Sequence, residues 1–293
     1  MPPDRSEPPT APAPTLQTAA YLRLISMPGR TGPRYPSEVP RGQQLCYSDA
    51  YARSVEARIL AVETEPSPAV VLDSTVFYPG GGGQPADTGA IIRAADGATW
   101  PVRSARKVEG EIVHELEPAG AQPGALPAVG EVVSAEIDWP RRHLLMRTHT
   151  ALHVLCGVVW RDYGAQVTGG NMEPGSGRMD FEFERMSGEL VGEIEGKVNA
   201  ELAAGRDVRV QVLPRDAAFA IPDLIRTKIN LLPPGIDEVR TVEIVGLDLQ
   251  ADGGTHVANT REVGTIRVTG YESKGRINKR IRIELAGGEV ASA

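Results

Sequence analysis

Of the five histidines in this 293-residue chain, three stand in two short motifs: His149 and His153 in HTALH, and His256 in DGGTH. Four residues advance a helix by slightly more than one turn, so His149 and His153 project from one face about a turn apart. Two imidazole nitrogens so placed can share a divalent cation. Asp252 and His256 repeat the four-residue separation, and Gly253 and Gly254 between them permit a tight loop that aims both inward. Together the two segments offer three histidines and one carboxylate. A histidine pair at this spacing occurs about half the time without a metal, and the second pair of ligands is what strengthens the reading. Thr150 stands where the HExxH signature has its glutamate, so a zinc protease would lack its general base.

Two further segments could meet a ligand. TVFYPGGGGQPADTG (75–89) has four successive glycines, whose exposed N–H groups allow close approach, between Pro79 and Pro85. No GK[ST] follows and no helix begins there, so it is not a phosphate-binding P-loop; a flexible surface hairpin is the alternative. KGRINKRIR (274–282) carries Lys274, Arg276, Lys279, Arg280 and Arg282 without an acid, a candidate contact for nucleic-acid phosphates that Arg141, Arg142 and Arg147 could extend. Alternation in RIRIEL sends Ile281 and Ile283 to the core and Arg280, Arg282 and Glu284 outward, so a plain solvated strand is nearly as well supported. His143 reads as a surface residue and His114 receives no role.

The elements that must position these residues fall into two groups. Between Leu45 and Ile137, six short β-type runs alternate with Gly, Pro and Asp: 55–63, 69–77, 89–93, 99–103, 111–116 and 131–137. They predict a small β-barrel, with AGAQPGALPAVG (119–130) as a turn-rich loop within it. Asp138 and Pro140 then announce a helix of about six turns that Gly164 stops. RMDFEFE alternates as a strand, and Ser187 precedes a second helix with Leu190, Ile194, Val198 and Leu202 on one stripe, ended by Gly205. Strands at 208–212, 242–245, 264–268 and 280–285 complete an α+β half, with two long helices on a mostly antiparallel sheet. The expected boundaries are a proline-rich extension at 1–44, a barrel at 45–138, a metal-binding domain at 139–286 and a tail at 287–293. Residues 1–40 hold ten of the 24 prolines, and Met27 is an alternative start.

Composition narrows the class. With 31 basic and 38 acidic residues the chain carries a formal charge of −7, which argues against coating nucleic acid non-specifically but allows a local basic patch. Two cysteines and no CxxC pair exclude a disulfide scaffold and a zinc ribbon. No apolar run is long enough for a membrane helix and no secretory leader is visible, so the expected compartment is the cytoplasm.

Taken in order, FYPGGGGQPADTG, RTHTALHVL, DLQADGGTHVANTREVG and SKGRINKRIRIEL resemble the AlaX family of free-standing alanyl-tRNA editing proteins, which are related to the editing domains of alanyl- and threonyl-tRNA synthetases. The resemblance spans residues 45–286. It implies a β-barrel joined to an α+β editing domain that binds one Zn2+ through HxxxH and CxxxH motifs. His149, His153 and His256 match three ligand positions, and Asp252 stands at the fourth, where the family usually has cysteine. A carboxylate oxygen is harder than a thiolate, which leaves the metal's identity open. The resemblance also makes Thr168, in AQVTGGN, similar to the threonine that helps accept serine and reject alanine, and it places Gly80–Gln84 beside the active site, which makes Gly82, Gly83 and Gln84 candidate catalytic residues with Thr168. The implied activity is hydrolysis, in trans, of serine and of glycine from mischarged alanine tRNA, with tRNA as partner. Two alternatives stay open: a non-catalytic tRNA-binding protein with a weakened metal site, and a deacylase for another mischarged tRNA.

Overall fold

The computed structural model describes residues 42–117, 126–227, 232 and 235–286; the proline-rich extension to residue 41, part of the turn-rich loop and the tail at 287–293 lie outside them. The first strands are β1 (Gln43–Gln44), β2 (Ser54–Glu63), β3 (Ala69–Leu72), β4 (Ser74–Thr75), β5 (Gly89–Arg93), β6 (Thr99–Val108), β7 (Glu111–Leu116) and β8 (Val132–Ile137). Six of them close into a barrel in the order β2-β3-β7-β6-β5-β8, every pairing antiparallel. Closure leaves none of these six strands with a free edge. Ile59, Leu72, Ile91, Val102, Leu116 and Val133 fill the interior.

The run 69–77 differs from the single strand expected of it. Asp73 latches back on β2, its N–H donating to Arg58 O at 3.0 Å and its Oδ1 accepting from Arg58 N at 2.8 Å. The chain therefore leaves β3, pairs briefly in parallel with β1 as β4, and carries buried Val76, Phe77 and Tyr78 into the glycine segment.

His114 of β7 is fully buried, with Nε2 2.8 Å from Thr75 Oγ1 and Nδ1 3.2 Å from Val70 O. Burial pushes its pKa down from 6.5 to about 4. The unfolded chain takes up this proton before the folded one, so stability present above pH 6.5 is lost as pH falls toward 4. The contribution is about 1.4 kcal/mol per pH unit for one proton. Denaturant unfolding at several pH values should show this slope in the native protein and its loss in His114→Gln.

The second half runs α1 (Trp139–Tyr163), β9 (Val167–Glu173), β10 (Ser176–Glu182), α2 (Gly188–Ala204), β11 (Val208–Pro214), α3 (Arg215–Phe219), β12 (Glu238–Ile244), β13 (Asp248–Ala251), β14 (Ile266–Ser273) and β15 (Asn278–Leu285). Asp138 caps α1 by accepting from Arg141 N, and Gly164 closes it in the left-handed conformation. Ser187 and Gly205 do the same for α2. Four strands form a sheet in the order β14-β15-β10-β9, and β11-β12-β13 form a second, all antiparallel.

The architecture is α+β. Leu145, Met146 and Leu155 of α1, Ile194 and Val198 of α2, and Phe181, Ile281 and Ile283 of the larger sheet share one core. Trp139 packs against both this core and the barrel's, so α1 is anchored at its start to the barrel. From Leu144 to Val159 nearly every residue of α1 is buried, as befits a central helix rather than a one-faced surface helix. No helix of the described residues is long and apolar enough to cross a membrane.

Candidate metal centre

Helix α1 supplies His149 and His153, and the loop after β13 supplies Asp252 and His256. One ligand atom from each lies within 4.8 Å of every other. Asp252 Oδ1 is 3.6 Å from His149 Nε2 and 3.9 Å from His153 Nε2, and Asp252 Oδ2 is 3.1 Å from His256 Nε2. Ligands bound tetrahedrally at ~2.0–2.1 Å would stand roughly 3.3 Å apart, so the donor set fits a zinc ion once the wider separations, which reach no more than 4.8 Å, close in. The structure thus brings together two segments about a hundred residues apart in the chain.

His149 and His256 have hydrogen-bond partners for their second nitrogens, and His153 has an acidic neighbour at ion-pair distance. His149 Nδ1 lies 3.0 Å from Gln84 Oε1, His256 Nδ1 3.2 Å from Thr150 Oγ1, and His153 Nδ1 3.5 Å from Asp248 Oδ2. An N–H held at Nδ1 leaves the Nε2 lone pair aimed at the shared centre, the usual arrangement behind metal-bound histidine. Asp248 and Thr150 were not legible as supports. Thr150 lies between the two histidines, but only the fold shows its hydroxyl serving His256 on the distant loop. Arg240 braces the fourth ligand: Nη1 donates to Asp252 O at 2.9 Å, Nε donates to Tyr47 O at 3.1 Å, and Asp252 N donates back to Arg240 O at 3.1 Å.

Charges in the centre suit a cation. Burial holds His149 well below its ordinary range and brings His256 to about 4. Burial opposes ionisation of Asp252, but the imidazoles of His149, His256 and His153 outweigh it and hold the carboxyl well below its ordinary range. For His153, burial is outweighed by Asp248 and Asp252, which raise its pKa. The lowered His149 and His256 and the lowered Asp252 carboxyl favour a bound cation, whereas the raised His153 must release its proton when a metal binds.

Gln84 ties the glycine loop to this centre. Its Oε1 accepts from Thr255 N at 3.0 Å as well as from His149, and its Nε2 donates to Thr255 Oγ1 at 2.9 Å. Gly81 and Gln84 exchange backbone hydrogen bonds of 3.0 and 2.9 Å around Gly82 and Gly83, whose φ values of +57° and +90° are those a type I′ turn demands. The loop is thus a fixed turn. It is wedged between Asp252 and β9: a Cβ on Gly82 would lie 4.0 Å from Asp252 Oδ1, and Met172 N donates to Gly83 O at 3.1 Å. Gln84→Leu should weaken metal retention by about 10- to 100-fold, the usual cost of losing such a support, checked by chelator competition.

Thr168 lies at the start of β9, exposed, with its hydroxyl donating to Asn278 Oδ1 at 2.8 Å. Among the described residues no contact joins it to the four ligand candidates. The basic run divides. Arg280 binds Asp180, Arg282 and Lys274 bind Glu272, Lys279 is buried, and Arg276 has no acidic partner among the described residues. Arg142 is a correction to the suggested extension of that run: it is fully buried, so it adds no surface charge.

Comparison with known proteins shows the family. Residues 239–282 match the family model of the threonyl and alanyl tRNA synthetase second additional domain, and residues 50–141 match that of class II (A) tRNA synthetases. The alanyl-tRNA editing protein AlaX-M of Methanosarcina mazei is 37% identical over 243 residues, covering 83% of this chain and 96% of that protein. AlaX-M of Saccharolobus solfataricus is 36% identical over 239 residues, covering 82% and 97%. The alanine–tRNA ligase of Pyrobaculum aerophilum is 37% identical over 243 residues, or 80% of this chain, but these are only 26% of that larger protein. Similarity of this degree over nearly the full length of the smaller relatives shows that the chain belongs to the AlaX family of alanyl-tRNA editing proteins.

Proposed function

We propose that this chain is a trans-editing hydrolase that removes serine, and also glycine, from mischarged alanine tRNA at a zinc site held by His149, His153, Asp252 and His256. The observation that carries the reading is the convergence of these four donors, with His149 and His256 hydrogen-bonded at their other nitrogens and His153 beside Asp248. The scissile bond is an ester between an amino acid and a ribose hydroxyl, so modest activation suffices. Zinc, when bound, supplies Lewis-acid polarisation to such a reaction.

The chain's own residues position and select. Gln84 and Thr150 hold His149 and His256 in the ligating tautomer, Asp248 places a carboxylate beside His153, and Arg240 holds the Asp252 loop. The N–H groups of Gly82 and Gly83 take no part in the Gly81–Gln84 exchange and are offered to a substrate oxygen. No size filter can exclude alanine, which is smaller than serine, so the site must favour the substrate that carries a hydroxyl. Thr168 donates to Asn278 and retains lone pairs to accept a serine hydroxyl. A polar contact left unmet by alanine discriminates more strongly than an apolar pocket does.

The test is deacylation of serine- and alanine-charged alanine tRNA by purified protein, with bound metal quantified on the same sample and on Asp252→Cys. The expected result is about one metal per chain, loss of serine and retention of alanine. Absence of deacylation in the native protein, with metal and activity restored in Asp252→Cys, would overturn the reading and favour a tRNA-binding protein.

A further inference from the structure

The basic run is not one surface. In β15, Arg280 and Arg282 point to the side where Asp180 and Glu272 neutralise them, and Glu272 also pairs with Lys274 at 3.2 Å. Lys279 faces the other way: in register opposite Phe181 of β10, it is 6% exposed, and its ammonium donates to Gly275 O at 2.8 Å and Arg276 O at 2.9 Å. Carbonyls satisfy those donors but cancel no charge. Lys279 lines a cleft of about 830 Å³ together with Arg185, Arg276, Glu184 and Ser187. Among the described residues neither Arg185 nor Arg276 has an acidic partner, so three cations face one carboxylate there. Ser187 caps the 17-residue α2, whose partial positive end opens on the same cleft.

We infer that this cleft seats backbone phosphates of the RNA substrate, an inference that rests on the functional reading above. The larger sheet sets the spacing between the glycine loop and the cleft. Gly83 lies against Gly170 of β9, Gly170 pairs with Met179 of β10, and Lys279 of β15 pairs with Phe181. Two strand spacings across and two residues along put the Lys279 backbone roughly 12 Å from that of Gly170. A tRNA acceptor end can cross that span with its terminal ester at the glycine loop and its phosphates at Lys279, Arg276 and Arg185. The fold spends its acids on Lys274, Arg280 and Arg282 and leaves these three cations uncompensated, as a seat for an external polyanion requires.

The test is binding of uncharged alanine tRNA by the full chain across ~50–300 mM salt. Arg185→Gln/Arg276→Gln, two surface changes that spare buried Lys279, should weaken binding by roughly 10-fold at ~0.1 M salt and lower the log–log salt slope by about 2. Arg103→Gln/Arg209→Gln removes two exposed arginines from the barrel and the smaller sheet and should change neither. Equal losses in both double variants would reduce the effect to net charge and overturn the proposal. So would native affinity and slope in Arg185→Gln/Arg276→Gln, or no salt-dependent binding by the native protein. The expected losses in a native protein that fails to deacylate would keep the cleft and remove the hydrolase reading instead.

Discussion

Gly254→Ala should abolish metal binding, whereas Gly253→Ala should leave it at the native level. A Cβ on Gly254 would stand 2.2 Å from His149 Cε1, 2.3 Å from its Nδ1 and 2.8 Å from Gln84 Oε1. None of these can retreat cheaply, since His149 is buried on a central helix and Gln84 is held by three hydrogen bonds. The loop must shift instead, carrying with it Asp252 and His256, each two residues away. Loss of two ligands together should cost at least about 100-fold in metal retention, more than removal of a supporting partner. Around Gly253 nothing lies within 4 Å, and its φ is not in the left-handed region, so an alanine there is free of clash and strain. Chelator competition on both variants decides the matter, with circular dichroism confirming that both fold. Native-like retention in Gly254→Ala would show that the loop is softer than its packing implies.

The second large effect concerns stability. Arg142 of α1 and Asp87 after the glycine loop form a buried pair, 0% and 1% exposed, with Arg142 Nε 2.9 Å from both carboxylate oxygens and Nη2 bound to Asp87 Oδ2. Arg142 also donates to Val76 O at 2.7 Å and Ala50 O at 3.1 Å, while Asp87 accepts from Tyr78 N at 2.7 Å. One guanidinium thus joins the barrel to the helix that carries the histidines, about two turns before His149. Asp87→Asn leaves that charge buried without a counter-charge and should destabilise the protein by about 3–5 kcal/mol in denaturant unfolding. Asp87→Leu/Arg142→Met, which removes both charges, should be less damaging than either single change. Equal losses in the single and double variants would reduce the pair to a packing contact.

Local periodicity made much of the fold legible. The six barrel runs, both long helices and their caps at Asp138, Ser187, Gly164 and Gly205 follow from alternation and helix-end chemistry acting within a few residues. Strand β9 was not legible, because VTGGNME shows no apolar alternation and gains its place by pairing with β10. The length of α1 was readable but its all-round burial was not, since that depends on both sheets and α2 closing over it.

The candidate site divides in the same way. The four ligand candidates could be picked from the sequence, because a separation of four residues on a helix, or across a two-glycine loop, is itself a statement about geometry, but only the fold brings the two pairs together. The partners of those ligands were decided only by tertiary structure. Gln84 and His149 are 65 residues apart, Thr150 and His256 are 106 apart, and Asp87 and Arg142 are 55 apart. No spacing rule reaches across such distances; barrel closure and the docking of α1 bring them together. The basic run shows the same limit: its charge was plain in the sequence, but the acids across the sheet decide which cations are paired with a carboxylate and which are not.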